Sequence, residues 1–548
     1  MTTTRKPRKR TTGKAAVRPG VQPLKCALAD TLHRIFPHTK VSTTRLLALD
    51  AARGERVSFQ VVVQNPTTDC VSVSLALRAP AELTTRVRRV GYVPIAHANT
   101  DTPADESDGP GRYPGFVPDP LFDEHTLSLG PGETQSFWCN ATVAVSAKPR
   151  EYTVNAILTS GEKTLPALSV TITAHPLILK PRRNFPVVQW FYADALCDFY
   201  RCEPFDDAFW TIVAPYMRDM VEHFEDCIYV PLFTPPTDGV KRPTQLLKVK
   251  KSGAKYTFDW SDVKRWTDLA QSIGLHYFEW THLFTQWGVK HAIRIYDTDG
   301  ELLWEPETGA TSDTYRAFLA EFLPEFKAFL IREKLLERSF FHVSDEPHRD
   351  HLPHYRAARA LLKELAPWMK SMDALSEIDF ARETDLPIPV TSSASSFAAE
   401  QIEAGVYYCC APRGRYVNRL MDTPLAKIRM NGWLFYRFQP KLFLHWGYNY
   451  WHRSQTRELL DPFTASDGGK WPGWPYGDTF CVYPGPHGPI DSIRWEVFAE
   501  SMQDFALLQT LGVEPSGKLL RPLNDYADFP KTAAWITRAR KALLTAAH

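Results

Sequence analysis

The chain has 548 residues, too many for one ordinary hydrophobic core, and its length indicates roughly two to four domains. Hydrophobic residues make up 44% and charged residues 23%, which is typical of a globular protein in water. Lysine plus arginine number 64 and aspartate plus glutamate 62, so the charge balance gives no argument for a nucleic-acid partner.

The first 20 residues are basic, and no apolar segment follows them, so we expect a disordered tail without a recognisable signal peptide. No stretch is apolar enough to span a bilayer, and we expect no membrane partner and a cytoplasmic location. The nine cysteines form neither a zinc pattern nor a disulfide framework, which predicts reduced thiols, no metal and no cofactor. Cys409 and Cys410 are adjacent, and neighbours in an extended strand point to opposite faces.

From about residue 21 to residue 178, apolar residues recur with a period of two. Val57, Phe59 and Val61 alternate with polar neighbours, and similar runs lie at 71–77, 137–145, 152–158 and 168–172. Turn residues such as Gly130-Pro131-Gly132 separate these runs. Several alternating strands at short spacing predict an antiparallel β-sandwich domain over 21–178.

After a bridge rich in proline and arginine at 176–186, apolar runs alternate with helical patterns. Helices are predicted at 209–224, at 263–273 with Gly274 at its end, at 315–336 with Pro324 as a candidate break, and at 355–365. The strand candidates are Val187–Tyr192, Ile228–Phe233, His276–Thr281, Phe340–Ser344, Met369–Asp373, Ile388–Thr391, Val406–Cys409 and Leu442–Trp446.

Eight strands alternating with helices predict a (β/α)8 TIM-type barrel, which we place at 183–512. An open doubly wound sheet is the alternative, although no GxGxxG or Walker sequence supports a nucleotide site there. Residues 513–548 are predicted to form a short helical C-terminal extension.

In a barrel, functional residues lie where strands end and loops begin. The candidate substrate-binding residues at these ends are Trp190, His282, Trp287, Tyr408, Trp446, Asn449 and Trp451. The alternatives stay open: His282 is equally typical of a structural histidine, and one of Trp446 and Trp451 is expected in the core. Glu279 suits either a nucleophile or a structural ion pair.

Asp345 and Glu346 end the fourth predicted strand. Glycosidic cleavage needs an acid to protonate the leaving oxygen. In substrate-assisted hydrolysis, the sugar's own 2-acetamido oxygen attacks, and a carboxylate must orient the acetamido N–H. An adjacent Asp and Glu suit both tasks if the strand bends at its end. The alternative is helix capping, with Ser344 or Asp345 at the cap.

Several segments resemble the domain-of-unknown-function family 4091, which is related to glycoside hydrolase family 123, the β-N-acetylgalactosaminidases. These are FFHVSDEPH, LFLHWGYNYW, YPGPHGPIDSIRWEVFAESMQDF and the stretch from YYCCAPRGRY to LFYRF, with weaker pieces ERVSFQVVVQNP and YFEWTHLFTQWG. The resemblance implies a β-sandwich followed by a barrel. It also implies that Asp345 orients the acetamido group and that Glu346 is the acid/base.

The leading functional hypothesis is therefore a retaining exo-β-N-acetylhexosaminidase that prefers N-acetylgalactosamine and takes a glycan or glycoconjugate as its partner. Two alternatives remain. One is a glycosidase for another sugar, in which a protein nucleophile works with Glu346. The other is a non-catalytic glycan-binding protein on the same fold.

Overall fold

The structure is a computed structural model that describes residues 23–235 and 241–546. The expected disordered tail at 1–20 lies outside the described residues. The N-terminal part is built of strands, in chain order β1 (Lys25–Ala29), β2 (Leu46–Arg53), β3 (Arg56–Gln64), β4 (Val71–Arg78), β5 (Leu83–Ile95), β6 (Gly115–Phe122), β7 (Thr126–Leu129), β8 (Thr134–Val143), β9 (Arg150–Ser160), β10 (Lys163–Thr164) and β11 (Leu168–Ile178). A region made mostly of sheet is thus confirmed.

These strands form two sheets whose inner faces share one apolar core. The first runs β1-β3-β8-β5-β6 and the second runs β2-β11-β9-β4-β7, with β10 paired to β9. Phe59 and Phe137 of the first sheet and Val154 and Ile172 of the second are fully buried in that core, as the period of two predicts. The expectation of a purely antiparallel arrangement is wrong at one pair, since β11 and β2 are parallel. No hairpin joins these two strands, so no turn sets their direction.

The second part alternates strands with helices. Its elements are β12 (Val187–Gln189), α1 (Ala193–Tyr200), α2 (Asp207–Glu222), β13 (Cys227–Val230), β14 (Lys248–Ser252), β15 (Lys255–Asp259), α3 (Ser261–Ile273), β16 (Tyr277–Trp280), α4 (Asp313–Arg332), β17 (Ser339–Phe340), α5 (Leu352–Leu365), β18 (Met372–Ala374), β19 (Leu386–Ile388), α6 (Ala394–Ala399), β20 (Val406–Tyr407), α7 (Leu425–Phe438), β21 (Phe443–His445), β22 (Tyr483–Pro484), β23 (Pro489–Ser492), α8 (Ile493–Leu511) and α9 (Ala533–Ala546). All eight predicted strand positions overlap observed strands, which are shorter than predicted.

The parallel strands form one six-stranded sheet, in the order β17-β16-β13-β12-β21-β20, and a separate pair, β18-β19. The expected (β/α)8 arrangement is therefore present only in part. A helix follows each of these parallel strands except β18, after which the chain makes only a 3₁₀ turn at Ile378–Phe380.

Helix α4 continues through Pro324, where a break was a candidate. Proline removes one backbone donor from a helix. Here the rings of Phe318, Phe322 and Phe326 stack along one buried face of α4, with centroids 5.6 and 5.3 Å apart. Burial of this face outweighs the missing hydrogen bond, so tertiary packing keeps the helix whole.

The chain returns to the first sheet after the parallel strands. Strand β23 pairs antiparallel with β6, and the hairpin of β22 and β23 extends the first sheet by two strands. Val93, Val117 and Trp138, on the outer face of that sheet, are buried in the core of the second part. The two parts therefore share an apolar interface as well as a sheet. No helix in the described residues is long and apolar enough to cross a membrane.

Candidate active site

A pocket opens at the carboxyl ends of the parallel strands. Trp190 follows β12, Asp345 and Glu346 come after β17, and Ala374 ends β18. The loops after strands in parallel α/β folds are where functional side chains collect, because strand ends from distant sequence positions meet there. The pocket therefore lies where the sequence predicted a functional rim.

The Asp345-Glu346 pair lies at a sharp bend of the backbone. Glu346 has a φ of 43°, in the left-handed region that side chains other than glycine rarely adopt. Neighbours in an extended strand would point to opposite faces, and this bend lets both carboxyl groups line one pocket. The Glu346 N–H donates to the Ala374 carbonyl (3.0 Å), and the Trp287 N–H donates to the Asp345 carbonyl (3.1 Å). These two bonds hold the backbone in this bend.

The capping interpretation of this segment is wrong. The next helix, α5, begins at Leu352, after a 3₁₀ turn at Arg349–His351 whose cap residue is His348. The Ser344 hydroxyl donates to the Thr285 carbonyl (2.9 Å) instead of capping a helix. Neither Asp345 nor Glu346 therefore caps or starts a helix.

Each carboxylate of the pair accepts a hydrogen bond, one from the loop after β16 and the other from the end of β20. Gln286 Nε2 donates to Asp345 Oδ2 (2.8 Å), and the Tyr407 hydroxyl donates to Glu346 Oε1 (2.7 Å). Burial, together with the nearby Glu346, holds the pKa of Tyr407 well above its usual value, so the phenol stays a donor. Two named donors therefore set the positions of the two carboxylates.

Aromatic side chains form much of the pocket wall. Trp190 is 5% exposed, and its indole N–H donates to Glu279 Oε1 (2.8 Å). Trp446 packs at 5.1 Å from Trp474 and donates its N–H to Asp478 Oδ2 (3.1 Å). Trp287, in contrast, is 40% exposed. Flat apolar faces beside carboxylate and amide groups suit a ligand that has both C–H faces and hydroxyls.

A buried ionic network lies behind the wall. His342 Nε2 is 2.5 Å from Glu279 Oε1, and His342 Nδ1 is 3.5 Å from Asp373 Oδ1. Burial opposes charge on His342, but the carboxylates of Glu279 and Asp373 raise its pKa to about 10. Asp373 also accepts the N–H groups of Val343 and Ser344, at 3.0 and 3.1 Å. The network thus joins the backbone just before Asp345 to Glu279, the carboxylate that accepts the indole N–H of Trp190. Glu279 accordingly serves as a structural ion-pair member, one of its two predicted roles.

Five of the nine predicted site residues line the pocket: Asp345, Glu346, Trp190, Trp287 and Trp446. Four do not. His282 is buried behind Trp190, stacked on the His342 ring at 4.1 Å, and burial lowers its pKa well below the usual value. His282 is therefore one of the structural histidines that the sequence left open.

The other three misplaced residues serve packing. Tyr408 is fully buried against Phe443 (4.9 Å), because its neighbour Tyr407 takes the pocket side of the strand end. Asn449 bonds the backbone N–H and carbonyl of Tyr192 (2.9 and 3.0 Å), which fixes the pocket wall from behind. Trp451 is the core tryptophan of the predicted pair, donating its N–H to the Val482 carbonyl (3.1 Å).

The sequence did not predict several other lining residues, namely Tyr192, Gln286, Tyr407, Lys470, Trp474 and Asp478. Tyr407 was one residue away from the predicted Tyr408. Trp474 belongs to a loop-rich segment whose tryptophans stood out in the sequence, but nothing local indicates that the loop returns to the strand ends.

A group of side chains with metal-binding chemistry lies elsewhere in the described residues. One ligand atom from each of Asp219, His223 and Asp491 lies within 4.8 Å of the others. The guanidinium of Arg88 contacts Asp491, and the carboxylates of Asp219 and Asp491 overcome burial to raise the pKa of His223 to about 10. Two cationic side chains thus already balance these carboxylates, so the group acts as an ion network between the two parts.

One solved structure has the same fold over nearly its whole length. A family 123 glycoside hydrolase from Clostridium perfringens, studied for glycolipid glycan hydrolysis, matches with a TM-score of 0.73 at 14% identity, over 96% of this chain and 97% of that one. At this identity the likeness shows the fold. A GH5 xyloglucanase from Bacteroides ovatus has a TM-score of 0.29 at 10% identity, over 87% of this chain and 100% of that one. A family 39 glycoside hydrolase from Bacteroides cellulosilyticus WH2 has 0.33 at 10% identity, over 84% and 82%.

No curated protein sequence matches the chain. Residues 190–511 match the family described as glycoside hydrolase 123, catalytic domain. The match spans more than half of the chain and includes every residue that lines the pocket. The chain therefore belongs to glycoside hydrolase family 123 and is a glycoside hydrolase.

Proposed function

We propose that this glycoside hydrolase is a retaining exo-β-N-acetylhexosaminidase that prefers N-acetylgalactosamine and works by substrate assistance. The observation that carries the proposal is the pairing of Asp345 and Glu346 in one pocket, each with its own hydrogen-bond donor. Their resemblance to the motif of β-N-acetylgalactosaminidases supplies the roles of the two residues.

In this mechanism the two carboxyl groups act in succession on one sugar. Glu346 protonates the glycosidic oxygen as the acetamido oxygen of the substrate attacks the anomeric carbon. Asp345 accepts the acetamido N–H and offsets the positive charge of the oxazolinium intermediate. Glu346, now a carboxylate, then takes a proton from water as water opens the ring. Two inversions at the anomeric carbon give net retention.

The shape of the pocket favours removal of a terminal sugar. Trp190 is a buried part of the wall and bonds the buried Glu279, which in turn contacts His342, and a wall backed in this way suits the end of a glycan. The Clostridium perfringens enzyme was studied for glycolipid glycan hydrolysis, so glycolipid glycans belong among the substrates to test.

The finer features of the fold belong to the same proposal. Isolated parallel bridges at Phe341–Ser371 and Val390–Tyr407 link the β18-β19 pair to β17 on one side and to β20 on the other. We infer a closed (β/α)8 order, in which one βα unit has lost its helix, behind a β-sandwich at about 21–178. Membership of the domain-of-unknown-function family 4091 also remains a proposal.

A substrate panel tests the proposed function. Nitrophenyl N-acetyl-β-galactosaminide should be cleaved fastest, the β-glucosaminide second, and β-galactoside, which lacks the acetamido group, not at all. Proton NMR of early product should show the β anomer first. Undiminished cleavage of sugars without a 2-acetamido group would favour a protein nucleophile. Binding of N-acetylgalactosamine without cleavage of any glycoside would favour the glycan-binding alternative.

A further inference from the structure

Two adjacent thiols lie in the wall of the pocket. Cys409 and Cys410 come one residue after the end of β20, and both line the same cavity as Glu346. Their Sγ atoms are 3.7 Å apart, and both side chains are partly exposed. The strand has already ended at Tyr407, so the alternation expected for neighbours in a strand does not separate the two side chains. The glycosidase mechanism proposed above gives neither thiol a role.

The backbone of this turn is held from several sides. Asn418 Nδ2 donates to the Cys409 carbonyl (3.0 Å), and Arg413 Nε donates to the Cys410 carbonyl (2.5 Å). The same guanidinium bonds the Pro472 and Gly473 carbonyls in the loop that carries Lys470 and Trp474. The contacts that hold the backbone of the two thiols therefore also hold the loop of Lys470 and Trp474.

The pair has the chemistry of a reactive thiol and a resolving thiol. A hydrogen bond from Cys409 lowers the pKa of Cys410, and the same bond, with burial, raises the pKa of Cys409 well above its usual value. A thiolate is the nucleophile in thiol–disulfide exchange, so Cys410 reacts first. Its neighbour then stands within reach of the sulfur that has been modified.

We propose that Cys409 and Cys410 form a covalent modification site in the pocket wall, which reacts with low-molecular-weight disulfides and closes into a reversible vicinal disulfide. The Cys410 thiolate attacks the small disulfide, forms a mixed disulfide and releases one thiolate. Cys409 loses its proton to solvent and attacks the Cys410 sulfur, which releases the second thiolate. Two protein thiols are oxidised and one small disulfide is reduced to two thiols.

The geometry of adjacent residues makes this bond easy to reduce. Consecutive Cα atoms are about 3.8 Å apart, which is shorter than the roughly 4.4–6.8 Å usual for disulfides. A disulfide between adjacent cysteines closes a strained ring. Such a disulfide has a more oxidising potential and is readily reduced by excess thiol. The expected state under reducing conditions is therefore the dithiol.

Peptide mapping of the full-length protein tests the site directly. Trypsin should release residues 383–413, a peptide whose only cysteines are Cys409 and Cys410. After treatment with oxidised glutathione and then an alkylating reagent, we expect this peptide to carry no alkyl group and to be lighter by two hydrogens. Dithiothreitol should restore double alkylation. Two alkyl groups on the peptide after full treatment, or a glutathione adduct at Cys410 that never resolves, would overturn the proposal.

The chain supplies matched controls. Cys197 and Cys202 are buried thiols near each other, with burial as the first cause that raises both pKa values, and they should remain reduced under the same treatment. Cys409→Ser should trap glutathione on Cys410, whereas Cys410→Ser should show no adduct at Cys409. An adduct on Cys409 alone would contradict the assigned order. These mass measurements need no substrate, so they stay separate from any failure of the proposed activity.

Discussion

The Tyr407 hydroxyl donates a 2.7 Å hydrogen bond to Glu346 Oε1, joining the end of β20 to the bend after β17. We expect Tyr407→Phe to lower kcat on substrates with poor leaving groups, because Glu346 loses the contact that positions it. A hydrogen bond to a charged group contributes about 1.5–3 kcal/mol, which corresponds to a loss of roughly 10- to 100-fold. Activated aryl glycosides need little proton donation and should lose less.

Tyr408→Phe is the matched control for that variant. Tyr408 is the next residue along the chain, is fully buried and lies outside the pocket, against Phe443. Its substitution should leave the dependence on leaving group unchanged. Equal losses in the two variants would show that Tyr407 acts through packing alone and would contradict its role as a positioning residue for Glu346.

The sequence could not predict which of these two tyrosines lines the pocket. The apolar run at Val406 predicted a strand, and a strand end predicted an exposed functional side chain. Which of two neighbours faces the pocket depends on the register against β21, and β21 lies about 40 residues further along. A register shift of one residue moves a side chain to the opposite face, and the tyrosine that lines the pocket is Tyr407, whereas the sequence indicated Tyr408.

The Glu279–His342–Asp373 network makes stability depend on pH. His342 has a folded pKa of about 10, above the unfolded value of about 6.5, so its contribution is full below pH 6.5 and is lost as pH rises through 10. Each such histidine lowers the free energy of unfolding by up to about 1.4 kcal/mol per pH unit in that window. The pKa of His223 is also raised to about 10, so this histidine adds to the slope of stability against pH.

His342→Gln should flatten this slope. We expect the variant to be less stable than the wild type at pH 6.5 and closer to it at pH 10, as measured by urea unfolding at several pH values. The remaining slope should come from His223. A constant difference between the two proteins across this range would mean that His342 is neutral in the folded state.

Arg88 connects the first sheet to the second part of the molecule. Its guanidinium contacts Asp491 on β23 and Glu496 on α8, and all three side chains are buried. Arg88→Met removes the cation that bonds both carboxylates and leaves His223 as their shared partner, which should cost about 3–5 kcal/mol of unfolding free energy. Because the two parts share this network and an apolar core, thermal unfolding should remain a single transition at a lower Tm.

Arg89→Met is the control for Arg88. The Arg89 side chain pairs with the more exposed Glu124 at 2.6 Å, and a surface pair of this kind contributes about 0–1 kcal/mol. A similar loss of Tm in both variants, or two separate transitions in the wild type, would contradict the account of the interface.

The interface between the two parts could not be predicted from the sequence, for a physical reason. The period of two and the change to helical spacing are local patterns, and they predicted a division of the chain into two parts. Strand β23 returns to β6 across a gap of more than 350 residues, and only long-range packing decides that pairing. The bend at Glu346 also depends on a contact that is distant in sequence. The sequence predicted the two acids at a strand end, but the positive φ of Glu346 depends on its hydrogen bond to Ala374.

The division of labour between Asp345 and Glu346 is tested most directly by comparing leaving groups in two variants. Glu346→Gln should lose about 100- to 10,000-fold in kcat/KM on alkyl glycosides of N-acetylgalactosamine and much less on activated aryl glycosides, because only the former need a proton donor. Asp345→Asn should lose activity on both, since forming the oxazolinium is itself impaired, and should bind a thiazoline mimic more weakly than the wild type. Wild-type rates in both variants on a substrate that the enzyme cleaves would contradict the assignment of these two carboxylates.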